Sequence, residues 1–219
     1  MWPRTVGNSR YRSRKFKFIE ESAMSNSNRV LIVVDVQNDF VDPSGNLYVQ
    51  DAPSVVPNIN TKIAAARGDE RLIVYTQDWH PEVTPHFAKD GGIWPVHCVA
   101  GSWGAQWYSE LEVATNSQVV RKGTGGEDGY SGFSVRDPLT NAESDTAMEE
   151  ILKRHGVTDV DVVGIATDYC VKETALDACR RGYKTNIYLD CMKGVNLQPG
   201  DADSAIAAMV EAGIEVFDG

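Results

Sequence analysis

A chain of 219 residues, 42% apolar and 24% charged, has the composition of an ordinary globular protein and material for one domain with a sizeable core, or at most two small ones. Its net charge of −10 argues against a non-specific nucleic-acid or anionic-membrane surface, which clustered Lys and Arg would have to supply.

The first segment departs from that average. Residues 1–28 carry Arg4, Arg10, Arg12, Arg14, Lys15 and Lys17 against Glu20 and Glu21, so this tail is about +4 and the remainder about −14. It holds no apolar run of signal-peptide length, and no later run is long enough to span a bilayer. Its Arg-rich, acid-poor start has a transit-peptide flavour. The favoured reading is a disordered or mis-assigned extension, because Met24 begins a more ordinary terminus. The folded domain is then expected over 29–219.

From there, short β-branched runs alternate with helical patterns. RVLIVVD (29–35) is apolar almost throughout, as a central parallel strand covered on both faces must be. A helix follows, with Ile59, Ile63 and Ala66 on one face ahead of Gly68, and then RLIVYTQD (71–78) and SQVVRK (117–122) as strands. Met148, Ile151, Leu152 and His155 stand at helical spacing before Gly156, which suits a C-cap. DVDVVGIA (159–166), KTNIYLD (184–190) and IEVF (214–217) read as further strands. A stripe of Val171, Thr174, Ala175 and Ala178 and another of Ile206, Met209 and Val210 read as the intervening helices. Strand–helix alternation of this kind predicts a three-layer α/β fold with a doubly wound, mostly parallel sheet of about six strands.

Two connections are long, roughly 79–116 and 123–143, and loops of that length in a compact domain tend to be functional. Both leave the carboxyl ends of strands, where open α/β sheets bind ligands. The first opens within TQDWHPEVTPHFAKDGGIWPVHC (76–98), which holds three of the four histidines, His80, His86 and His97, together with Asp78. Pro81, Pro85, Gly91, Gly92 and Pro95 break it, and it has no hydrophobic period. Asp78 and His80 are two apart at a strand end, so their side chains share a side. Three imidazoles and a carboxylate suit one first-row divalent ion such as Zn, Fe or Mn rather than Mg or Ca. His155, at the end of an apolar helical face, serves the helix terminus instead.

The cysteines (Cys98, Cys170, Cys179, Cys191) form no CxxC pair and read as reduced thiols of a cytoplasmic protein. Cys98 follows His97 and is expected to pack. Cys170 falls in the first turn of a helix starting near Thr167 or Asp168, where unpaired N–H groups and partial positive charge lower a thiol's pKa and can hold an oxyanion. Asp35 ends the first strand and Lys122 the strand 117–122. If both converge on Cys170, they form an Asp–Lys–Cys triad, with Asp35 taking the thiol proton and Lys122 holding the charged pair. GTGGEDG (123–129) lacks the GxxxxGK[ST] spacing and is not a phosphate loop.

LIVVDVQNDF (31–40), TQDWHP (76–81), WPVHC (94–98), RKG (121–123), YSGF (130–133) and GIATDYCVKET (164–174) together resemble the nicotinamidase/pyrazinamidase branch of the isochorismatase-like cysteine hydrolases. The resemblance runs from about Arg29 to the C-terminus. It implies Asp35, Lys122 and Cys170 as the catalytic triad. It also implies an oxyanion hole from the Ala166 and Cys170 N–H groups beside a cis Ile165–Ala166 peptide, and Asp78, His80, His86 and His97 as ligands of one divalent metal ion. Phe40, Trp94 and Tyr130 match aromatic positions of the substrate pocket, Tyr130 less securely because the spacing from Lys122 varies. Tyr169 stands where some members carry His, and no function attaches to it. The implied activity is hydrolysis of nicotinamide, a small-molecule amide, to nicotinate and ammonia in NAD salvage, with pyrazinamide-like amides as side substrates. No nucleic-acid or membrane partner is expected, and a homo-oligomer is left open. The alternatives are an amidase of the same superfamily acting on a ureido or carbamoyl substrate and, from another class, a non-catalytic metal- or redox-binding protein.

Overall fold

The structure, a computed structural model, describes residues 28–115 and 117–218. The expected N-terminal extension therefore lies outside the described residues, except for Asn28. That residue is tied to the domain by Thr158 N–H donating to its carbonyl at 2.8 Å. Among the described residues no helix is long and apolar enough to cross a membrane.

Six strands form one sheet: β1 (Arg29–Val34), β2 (Leu72–Asp78), β3 (Gln118–Lys122), β6 (Asp159–Ile165), β7 (Lys184–Lys193) and β8 (Glu215–Phe217). Their order is β3-β2-β1-β6-β7-β8 and every neighbouring pair is parallel. The period of two along β1 divides the core. Leu31 and Val33 pack on one side with Ile59, Ile63 and Ala66 of α2 (Val56–Gly68). Val30, Ile32 and Val34 pack on the other side with α3 (Met148–Arg154), α4 (Lys172–Arg180) and α5 (Asp201–Glu211). Helices on both faces account for the unbroken apolar run of β1.

Several local expectations are corrected. α5 buries Ala205 and Met209, while Val210 is 52% exposed, because the axis of this helix turns the 205–209 face to the sheet. His155 is an exposed C-cap residue rather than part of the buried face of α3. α2 includes Gly68, and β7 runs on to Lys193. The connection after β3 contains a small antiparallel hairpin, β4 (Ser134–Arg136) with β5 (Glu143–Asp145), too short and too exposed to show an alternating pattern. A single turn, α1 (Asn38–Val41), follows β1.

The chain leaves β1 towards β2 and β3 and later returns to β1's other edge as β6, so the sheet's switch point lies between β1 and β6. There Gly164 has φ +121°, and a β-carbon on it would strike the Val34 backbone. That close approach needs glycine and brings the chain beyond β6 against the end of β1.

Candidate active site

Register builds the site. Asp78 and Lys122 are partners across β2 and β3, and Val34 pairs with Thr76 on β2 and Gly164 on β6. The first residue beyond β1, Asp35, therefore emerges between β2 and the turn after β6. Lys122 Nζ lies 2.6 Å from Asp35 Oδ2, 2.5 Å from Asp78 Oδ1 and 3.5 Å from Cys170 Sγ. It also donates to the Gly129 carbonyl at 2.5 Å. Thr76 Oγ1 donates to Asp35 Oδ1 at 2.6 Å. Ligand atoms of Asp35, Asp78 and Cys170 all lie within 4.8 Å of one another. The ammonium fills their centre, so this group is an ion cluster and not a second cation site.

The cluster is closed to water: Asp35 is 0%, Lys122 1% and Cys170 8% exposed. Burial raises the Asp35 carboxyl above its usual value in spite of Lys122. Burial pushes Asp78 the same way, but the Lys122 ammonium, with the His80 and His97 imidazoles close by, outweighs it and holds Asp78 well below the carboxylate range. Burial disfavours a charged Lys122, yet two carboxylates keep it protonated, well above its ordinary value.

The expectation of a lowered Cys170 pKa fails. Burial pushes the thiol well up, Lys122 pulls it down, and Asp35 and Asp78 add to the rise. The helix entry is a five-residue π-helical turn, Thr167–Val171, closed by Tyr169 and Val171 N–H bonds to the Ala166 carbonyl. Ionising Cys170 to solvent would add a second net negative charge to a cluster already at −1. Moving the same proton to Asp35 leaves the total unchanged, and Asp35 is the carboxyl whose proton affinity is raised. In metal-free protein, alkylation of Cys170 by iodoacetamide should therefore stay slow at neutral pH and climb through and beyond the ordinary thiol range. A rate already at its plateau by pH 8 would contradict this.

His80, His86 and His97 offer ring nitrogens that all lie within 4.8 Å of one another, and all three are buried. Asp78 Oδ2 is 3.7 Å from Nε2 of both His80 and His97. His86 Nδ1 meets Asp128 Oδ1 at 2.7 Å and His97 Nδ1 meets the Pro95 carbonyl at 2.8 Å. Each of those oxygens accepts an N–H, which leaves Nε2 as the lone-pair nitrogen. Neither ring nitrogen of the fully buried His80 has a hydrogen-bond partner, an arrangement that costs about 1–3 kcal/mol if nothing satisfies it. Buried, convergent imidazole nitrogens are the donor set of a borderline divalent ion, and these residues fit one. Gly123, with φ +72°, lies where any β-carbon would collide with the His80 ring, which explains the glycine directly after Lys122.

A small cavity opens between the cluster and the imidazoles, lined by Cys170, Ala166, Asp78, His86 and His97. Phe40, Trp94 and Tyr130 line it too, and Trp94 Nε1–H donates to the Tyr130 hydroxyl at 2.8 Å. Burial raises that phenol to about 12. The peptide between Ile165 and Ala166 is cis. Cys98 is packed at 0% exposure, with its N–H on Asp39.

Sequence reasoning misses several residues here. Tyr169 lines the cavity and meets Trp94 edge-on, ring centroids 4.9 Å apart. Leu47 and Val195 close the sides. Asp168, next to it, accepts the Val195 and Asn196 N–H groups at 2.8 and 2.7 Å and so fixes that wall. Asp128 lies inside GTGGEDG, where attention to phosphate spacing passes over a lone carboxylate. None of these has a periodic or spacing signal.

The Isochorismatase domain family matches residues 29–219. The nicotinamidase/pyrazinamidase of Mycobacterium tuberculosis is 39% identical over 188 residues, covering 84% of this chain and 93% of that protein. The nicotinamidase of Escherichia coli is 35% identical over 205 residues, covering 86% and 94%. The crystal structure of the pyrazinamidase of Pyrococcus horikoshii in complex with zinc superposes with a TM-score of 0.79 at 34% identity, covering 88% of this chain and 100% of that one.

Proposed function

This chain belongs to the isochorismatase family, and on that premise we propose that it is a nicotinamidase, an amide hydrolase releasing nicotinate and ammonia from nicotinamide and accepting pyrazinamide-like amides. The observation that carries the reading is the convergence of Asp35 and Lys122 on Cys170, which lines a small aromatic cavity that His86 and His97 of the histidine set line as well.

In this proposal Asp35 takes the Cys170 proton as Sγ bonds to the amide carbon. The carbonyl oxygen gains the negative charge and rests on the Ala166 and Cys170 N–H groups, where losing one donor typically costs about 3–4 kcal/mol of barrier. Asp35 then gives its proton to the amide nitrogen, the C–N bond breaks, and ammonia leaves a thioester. Water attacks the thioester with Asp35 again as base, the C–S bond breaks and Cys170 recovers a proton. Lys122 remains charged throughout and keeps Asp35 and Asp78 together. Phe40, Trp94 and Tyr130 grip the aromatic ring.

Asp78, His80, His86 and His97 would hold one divalent ion, Zn, Fe or Mn. When bound, it supplies a Lewis-acid contact that orients the substrate ring. His86→Ala should leave the fold intact, lose bound metal and raise KM. An unchanged metal content would remove His86 from the ligand set. The direct test of the function is ammonia release from nicotinamide by purified protein, with metal content assayed. A metal-loaded enzyme that spares nicotinamide but hydrolyses ureido or carbamoyl amides would shift the assignment to that branch of the superfamily.

A further inference from the structure

The three imidazoles are not anchored alike. His80 lies two residues past the end of β2, and its backbone bonds the Cys98 carbonyl at 3.0 Å and the Ala100 N–H at 2.8 Å. His97 is steadied by a carbonyl two residues away. His86 lies on the stretch between 81 and 93, whose only described regular structure is the three-residue turn Ala88–Asp90. The hydrogen bond that holds the His86 ring comes from a different part of the chain, the connection after β3.

That connection reaches His86 twice, once directly and once through Thr84 of the histidine's own loop. Asp128 Oδ1 accepts the ring Nδ1–H at 2.7 Å. Thr84 Oγ1 accepts the His86 backbone N–H at 3.2 Å and donates to the Gly126 carbonyl at 2.9 Å. Asp128 is fixed in turn by β4. Its N–H bonds the Arg136 carbonyl at 2.8 Å, the Arg136 N–H bonds its carbonyl at 3.0 Å, and its Oδ2 lies 3.7 Å from Arg136 Nη2. Among the described residues it is the only carboxylate on Nδ1 of a histidine in this set. A carboxylate on one imidazole nitrogen sets the tautomer, orients the ring and makes the other nitrogen a better donor.

We propose that Asp128 is a positioning residue for the cation site: held by β4, it keeps His86 in the Nδ1–H tautomer with Nε2 aimed at the site, and so raises affinity for a divalent ion. The inference rests on the metal reading above and adds the chain segment that completes the site. It explains what the hairpin contributes, since β4 touches the site through Asp128.

The test is zinc affinity, by competition with a chromophoric chelator, together with the ¹⁵N shifts of the His86 ring in metal-free protein, for wild type, Asp128→Ala and Asp128→Asn. Asp128→Ala should weaken zinc binding by about 10–100-fold and turn a single Nδ1–H signature into a mixture of tautomers. Asp128→Asn keeps an accepting oxygen without the charge and should fall between the two in both readouts. If Asp128 were only a staple between two loops, thermal stability would drop while affinity and tautomer stayed put, and that result overturns the proposal. Wild type that takes up no zinc overturns the metal reading and the affinity claim together. Unchanged affinity in Asp128→Ala with a zinc-loaded wild type overturns this inference alone. Should the alanine variant fail to fold, wild-type affinity and a wild-type tautomer in Asp128→Asn do the same.

Discussion

Cys170→Ala is expected to abolish nicotinamide turnover, by a factor on the order of 10⁴–10⁶, while binding metal as wild type does. Among the described residues Cys170 is the only cysteine lining the cavity, and the variant removes its Sγ, 3.5 Å from Lys122 Nζ and within 4.8 Å of the Asp35 carboxylate. It leaves Asp35, Lys122 and Asp78 paired. Because the missing sulfur is small and lies at the cavity wall, the fold should survive, and the thermal midpoint and zinc stoichiometry check that. Ammonia release at wild-type rate from the purified variant would remove Cys170 from the chemistry. Turnover by wild type alone, with no metal bound to either protein, would leave the nucleophile standing and reopen the role of the histidines.

Lys122→Met is expected to have the largest effect on stability. The ammonium sits between Asp35 Oδ2 and Asp78 Oδ1 at 2.6 and 2.5 Å with no access to water. Removing one partner of such a group strands buried charge and costs about 3–5 kcal/mol. For a domain of this size each kcal/mol moves the midpoint by about 2–4 °C, so thermal unfolding should drop by roughly 6–20 °C, and activity should be lost with it. The pH dependence has a definite sign. In wild type Asp78 is depressed, so its contribution is present above the ordinary carboxylate range and is lost only as pH falls through its lower folded value. Asp35 is raised, so it disfavours the fold above that range and is relieved as pH falls through its higher folded value. Without Lys122 both carboxyls rise, so the deficit of Lys122→Met should be greatest at neutral pH and shrink towards pH 4. Adding Asp35→Asn should recover part of it. A variant as stable as wild type at pH 7 would mean that water, not Lys122, neutralises the pair.

How much of this is legible in the chain depends on the range of the interaction. The strands of the sheet show as β-branched runs, most plainly β1, where burial on two faces leaves no polar break, while the edge strands β3 and β8 are largely exposed and show by β-branching alone. α2 and α4 show because their apolar spacing is helical. The β4–β5 hairpin does not show, because three-residue strands with exposed side chains have no burial pattern to read. Val210 misleads because an apolar residue at helical spacing looks the same in sequence whether or not its face meets the sheet.

The site divides the same way. Asp35, Lys122, Cys170 and the histidine cluster stand out because their types and their places at strand ends are local facts, and they match motifs in family order. Tyr169, Asp168 and Asp128 do not, since each acts through a partner at least 25 residues away: Trp94, Val195 and His86. The charge state of Cys170 is a further case. A helix entry argues for a lowered thiol pKa, but the energy is set by enclosure and by two carboxylates delivered by other strands.

By itself, then, the sequence determines which side chains are available and at which end of the sheet each emerges, since period and strand boundaries are short-range properties of the backbone. Only the tertiary structure decides which groups share a proton, which imidazole is held by which carboxylate, and how far burial shifts each ionisation. Those depend on distances between residues that are remote in sequence and on the exclusion of water, and neither exists until the sheet has closed.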